Sequence, residues 1–188
     1  MNNKKAFSVL EVLIAITIFL IITGMILANY KKSENNNIFR LQSFDIEDSI
    51  RLVQNMSITG QKINGQIPGN AYGISFDKQN GTYKIFGDKN DDYRGYFNAG
   101  DLLGQEYVIN SKLYFDFFCG QNVNRLDILF YAPKGTIKIF TYTDNNGNGQ
   151  SEYNECDISL KSLRADGTWN INVSTSTNRV SSIYTNSN

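Results

Sequence analysis

An acidic residue lies inside a long apolar run. From Phe7 to Ala28 the chain reads FSVLEVLIAITIFLIITGMILA, and Glu11 is the one charged residue in it. A carboxylate at the centre of a membrane-inserted helix costs about 2.5 to 3.5 kcal/mol, so it calls for a positive partner. Two other stretches offer oxygen donors to a hard cation. Asp144 to Glu155, DNNGNGQSEYNE, has the spacing of a twelve-residue calcium loop. Asp144, Asn146 and Asn148 stand at positions 1, 3 and 5, and Gly149 stands at the bend. Gln150 would offer its carbonyl at position 7, Glu152 sits at 9 and Glu155 at 12. A strand and not a helix precedes this loop, and an Asn/Gly-rich hairpin loop has the same composition with no metal. The shorter DKNDDY places Asp88, Asn90 and Asp92 at alternate positions, with Asp101 reaching back, but Tyr93 stands where a glycine is expected. A solvated acidic turn explains it better. Calcium is thus the cofactor these residue types bring into view.

Other chemistry is poorly supplied. Histidine is absent and Cys119 and Cys156 are the two thiols, which removes the usual zinc ligands and the usual general base. Neither a nucleophile elbow nor a phosphate-binding loop is found, and no carboxylate pair has a recognisable frame, so no enzyme is expected. Lysine and arginine number 18 against 18 acids, and no global field draws the chain to nucleic acid. Lys161, Arg164 and Arg179 with Trp169 could form a local nucleic-acid patch; scattered surface charge accounts for them as well.

These residues need elements to hold them. The apolar run of about 22 residues makes a helix on the order of 33 Å long, enough to span a bilayer. Lys4 and Lys5 precede it and Lys31 and Lys32 follow it, so charge counting leaves its orientation open. The first 55 residues hold no proline and one glycine, Gly24, and Ile46, Ile50 and Val53 recur at helical spacing. The helix should therefore continue to about residue 56 and stop near Gly60. Beyond it, AYGISF, GTYKIFG, EYVIN, KLYFDFF, RLDILFYA, GTIKIFTYT and TWNINVS read as strands, separated by turn signals such as Pro68-Gly69 and Asn80-Gly81. The expected class is α+β: a long N-terminal helix packed on an antiparallel β-sheet head.

The run KKAFSVLEVLIA resembles the leader of type IV prepilins. The resemblance implies a leader over residues 1–6, cleavage between Ala6 and Phe7, and N-methylation of Phe7. Alanine here replaces the family's usual glycine. Glu11 then becomes the fifth residue of the mature chain, the glutamate that pairs with a neighbour's terminal amine. Also implied are a filament-core helix over 7–29, its soluble half over 30–56 and a β-rich head over 57–188. The ending SLRADGTWNINVSTSTNRVSSIY, with Arg179-Val180, looks like the closing strands of minor pilins and type II secretion pseudopilins of the GspH/FimT type. The function implied is a structural subunit of a pilus, secretion pseudopilus or DNA-uptake filament. Its partners would be prepilin peptidase and other pilins, and its place the inner membrane, single-pass with the head outside the cytoplasm, then a filament. A membrane-anchored binding domain outside any filament is the competing reading. With the head outside the cytoplasm, Cys119 and Cys156 would pair.

Overall fold

A computed structural model describes residues 9–89, 101–120, 122–144, 147–163 and 167–185. One helix, α1 (Val9–Thr59), precedes ten strands: β1 (Ala71–Asp77), β2 (Thr82–Asp88), β3 (Leu102–Val108), β4 (Leu113–Phe117), β5 (Arg125–Tyr131), β6 (Thr136–Tyr142), β7 (Ser151–Tyr153), β8 (Glu155–Ser162), β9 (Thr168–Ser174) and β10 (Arg179–Thr185). This is the α+β arrangement expected, with one long helix and a head of antiparallel sheets.

The 51 residues of α1 run for roughly 77 Å at 1.5 Å per residue. Its N-terminal half is long and apolar enough to cross a membrane, and none of that stretch is buried against the head. Its C-terminal half carries a buried stripe, Phe39, Ser43, Ile46, Ile50, Val53 and Met56, at spacings of three and four. The helix ends three residues later than the sequence boundary at 56. Gly60 takes a left-handed φ of 64°, and the Gln61 amide donates to the Met56 carbonyl at 3.2 Å, closing a Schellman cap.

The head has two sheets. The larger runs β3-β2-β1-β5-β6-β7 and the smaller β10-β9-β8-β4, with every pairing antiparallel. Alternate residues of β1 (Tyr72, Ile74, Phe76), β5 (Leu126, Ile128, Phe130), β4 (Leu113, Phe115, Phe117) and β8 (Cys156, Ile158, Leu160) join the α1 stripe in one apolar core. The helix touches both sheets: it packs on β1 and β5, while Phe44 meets Trp169 edge-on at 5.1 Å and the Ser182 hydroxyl donates to Glu47 at 2.6 Å. The membrane half and the head are therefore parts of one continuous helix-anchored body.

Two features depart from the sequence reading. β7 and β8 were not expected as strands, although Cys156, Ile158 and Leu160 alternate with Asp157, Ser159 and Lys161; β7 edges the larger sheet, and β8 lies inside the smaller one between β9 and β4. The larger sheet is buried on both faces at its centre. Ala71, Phe86, Leu129, Phe140 and Tyr142 form a second apolar cluster on its outer side. Arg125 and Asp127 are buried there as a charge pair, with the guanidinium donating to Asp127 at 2.7 and 3.0 Å and to the Ser75 hydroxyl at 3.0 Å. Buried charges persist only when paired and hydrogen-bonded in this way.

Candidate functional site

Glu11 lies in the first turn of α1, where a carboxylate also suits the positive end of the helix dipole. Ala15, one turn on, leaves a notch beside it flanked by Val12, Ile16 and Phe19. Every large side chain of this segment, from Val9 and Leu10 to Ile26 and Leu27, is turned outward. An apolar surface of this extent is satisfied by lipid or by other apolar helices. Ala6 and Phe7, the expected cleavage pair, lie outside the described residues.

Cys119 and Cys156 form a disulfide with Cα atoms 4.7 Å apart, bridging 37 positions of chain. β4 and β8 pair from Leu113 opposite Ser162 to Phe117 opposite Ile158, so the bridge falls two residues on, at the open end of that ladder. The expected pairing is present, and the strand geometry gives its reason.

The two acidic loops fare differently. Asp144 is spent inside its own turn, accepting from the Asn148 amide at 2.9 Å and from the Asn148 side chain at 2.6 Å. Glu152 lies in β7, 3.6 Å from Lys138. Glu155 opens β8 and accepts from Asn172 at 2.8 Å. Asn148 and Gln150 follow the turn, and Asn146 lies outside the described residues. No group of three or more acidic, histidine or cysteine side chains that could hold a metal occurs among the described residues. Asp144, Glu152 and Glu155 thus each have a partner of their own, and the second half of the twelve-residue stretch lies in two strands. In the other loop Asp88 is buried at the end of β2 and Asp101 accepts from the Lys89 amide at 3.3 Å, while Asn90 and Asp92 fall outside the described residues.

The basic residues near the C-terminus do not converge either. Lys161 pairs opposite Thr168 and Arg179 opposite Ser174, at opposite ends of β9 and so roughly 20 Å apart at 3.4 Å per residue. Trp169 is buried, and Arg164 lies outside the described residues. Lys161 is instead bound to Asp116 at 2.8 Å, with Lys78 on the other carboxylate oxygen at 3.0 Å. The hydrogen bond from Lys161, then that from Lys78, holds the Asp116 carboxyl below the usual aspartate range.

One cleft was not foreseen. Where α1 faces the edge strand β3, Tyr83 and Tyr107 stack with ring centroids 4.7 Å apart, and Asp45 and Asp48 stand beside them on the helix. Burial pushes the Tyr83 phenol up, and the Tyr107 ring and Asp45 carboxylate push the same way. The signal in the sequence was Asp45 and Asp48 three residues apart on one helix face, but the aromatic wall comes from strands about forty and sixty residues further along.

Residues 1–27 match the family model described as the prokaryotic N-terminal methylation motif. No curated protein and no solved structure matches the chain. The motif, with the apolar helix behind it, supports a type IV pilin-like or pseudopilin protein that prepilin peptidase processes. It points to a membrane-anchored structural protein.

Proposed function

We propose that this chain is a minor pilin or pseudopilin: a subunit of a type IV pilus, type II secretion pseudopilus or related filament. Prepilin peptidase cuts between Ala6 and Phe7, Phe7 is N-methylated, and the head waits outside the cytoplasmic membrane until the apolar helix is drawn from the bilayer into a bundle of like helices. The single observation that carries this reading is the division of α1. An exposed apolar half bearing one carboxylate continues without a break into a half whose stripe is built into the core of the head. Such a helix transmits any withdrawal from the membrane directly to the head.

The position of Glu11 supports the same reading. Cleavage before Phe7 would create a positive amine four residues from this carboxylate along the helix. Pairing between subunits offsets the cost of two charges in a low-dielectric interior, where either one alone would be expensive. The test is N-terminal sequencing of the full chain expressed with and without prepilin peptidase, together with shearing of filaments from cells that carry the assembly machinery. A chain beginning at Phe7 only when the peptidase is present, found in the sheared fraction and lost from it in Glu11→Ala, is expected. An N-terminus unchanged by the peptidase would favour a simple membrane anchor instead.

A further inference from the structure

The cleft between α1 and β3 measures about 700 Å³. Its helical wall presents Asp45 and Asp48, both exposed and neither with a cationic partner among the described residues. Its floor is the half-buried Tyr107 ring, backed by the buried Tyr83 on which it stacks, and Leu52 and Val108 sit exposed at its lip. Two carboxylates against an aromatic face make a receptor for an ammonium or guanidinium group, since the charge pairs with the acids and the ring face attracts the cation.

The complementary group is at the other end of the same head. Lys62 follows the α1 cap. Lys134 sits in the β5–β6 turn, where Gly135 lies against Ile58 and Ser57 of the last helical turn. Arg179 follows Asn178, whose side chain accepts from the Ile137 amide at the start of β6. The three cations therefore ring the C-terminal end of α1, all exposed and none with an acidic partner among the described residues.

Asp45 and Asp48 stand about a dozen residues before Thr59, which is roughly 20 Å along the helix axis. The cleft and the ring thus sit at different heights along α1 on one head. We infer that the acidic cleft of one copy receives the cationic ring of a second copy of this chain, shifted by roughly 20 Å along α1, with Lys134 entering between Asp48 and Tyr107. The contact is heterologous, so a pair keeps one free ring on the first copy and one free cleft on the second, and the association can propagate along one axis. The inference rests on the filament reading and adds to it which surfaces of the head meet.

The test is carbodiimide cross-linking of cells that co-express two differently tagged copies of the full chain with the assembly machinery. This chemistry joins a lysine ammonium to a carboxylate in contact with loss of water. Expected are dimers carrying Asp45 or Asp48 joined to Lys134 or Lys62. Asp45→Lys with Asp48→Lys removes the carboxylates that this chemistry needs, so it is read by the two tags co-purifying, which should fall by about tenfold, as like charges placed in register repel. Adding Lys134→Glu and Arg179→Glu to the same chain should restore association, again read by the two tags co-purifying, which a purely structural defect would not do. The milder Asp45→Asn with Asp48→Asn guards against misfolding and should give an intermediate loss of co-purification. If the chain enters sheared filaments but these cross-links are absent from the parent, or if the charge reversals leave co-purification unchanged, the head contact is wrong and the filament reading stands. If the cross-links form while the sheared fraction is empty of the chain, the contact stands and the filament reading fails.

Discussion

The disulfide is the feature whose removal has the most calculable cost. In the chain-entropy picture a crosslink spanning 37 positions stabilises by about 4 kcal/mol at 25 °C through the freedom it takes from the unfolded chain. The bridge closes the end of a ladder already held by β4 and β8, with the Phe118 amide donating to the Asp157 carbonyl at 2.9 Å beside it, so the native state keeps its ends together without the bridge and the freedom gained on its removal falls to the unfolded chain. Cys119→Ala with Cys156→Ala should therefore cost about 2 to 4 kcal/mol. At about 2 to 4 °C per kcal/mol, the melting midpoint should fall by roughly 5 to 15 °C. The assay is thermal unfolding of the full chain in detergent, followed at a wavelength sensitive to the strands, because the apolar helix will persist in the micelle. Each single substitution should lose nearly as much as the double, since either one abolishes the same crosslink. A midpoint unchanged within about 1 °C, or two single losses that simply add, would refute the reasoning: packing of two small buried side chains, and not the crosslink, would then be the whole effect.

Further outcomes follow from the same geometry. Ile50 is fully buried where α1 meets the sheets, so Ile50→Ala should cost about 2 to 4 kcal/mol, read as a shift of the urea midpoint with unchanged slope. The lowered pKa of Asp116 means that its contribution is present above the ordinary aspartate range near pH 4 and is lost as the pH falls through the folded-state value. Asp116→Asn should accordingly lower stability by up to about 1 kcal/mol at pH 7, with the difference from the parent closing as acid protonates Asp116. Because Asp144, Glu152 and Glu155 are each committed elsewhere, melting with calcium or with chelator should give midpoints within about 1 °C of each other; a rise of several degrees with calcium would show that the loop rearranges to bind it.

The legibility of this protein in its sequence was uneven, and the unevenness follows the range of the interactions involved. The long helix, its apolar half and its end near Gly60 could be read because a helix is decided by neighbours three and four residues apart. Most strands were readable through alternation, yet β8 was passed over: the reading of Asp144 to Glu155 as a cation loop hid the alternation that begins at Cys156. The calcium spacing was a local pattern, and tertiary pairing reassigned its acids. Glu152 and Glu155 are held by Lys138 and Asn172, partners that no window around the loop contains. Lys161 and Arg179 are parted for a similar reason, since their short sequence distance is undone by a hairpin that sends them to opposite ends.

From the residues alone came the class of the molecule: an apolar helix with one carboxylate, a β-rich head, two cysteines able to pair, and a leader-like N-terminus. What the residues could not decide was which strands lie side by side. Only the folded sheets bring β4 against β8 so that the cysteines meet, bury Arg125 with Asp127, and place Tyr83 and Tyr107 across from Asp45 and Asp48. Strand order depends on contacts between segments far apart in the chain, where many pairings satisfy the same alternation and the packed core as a whole selects among them.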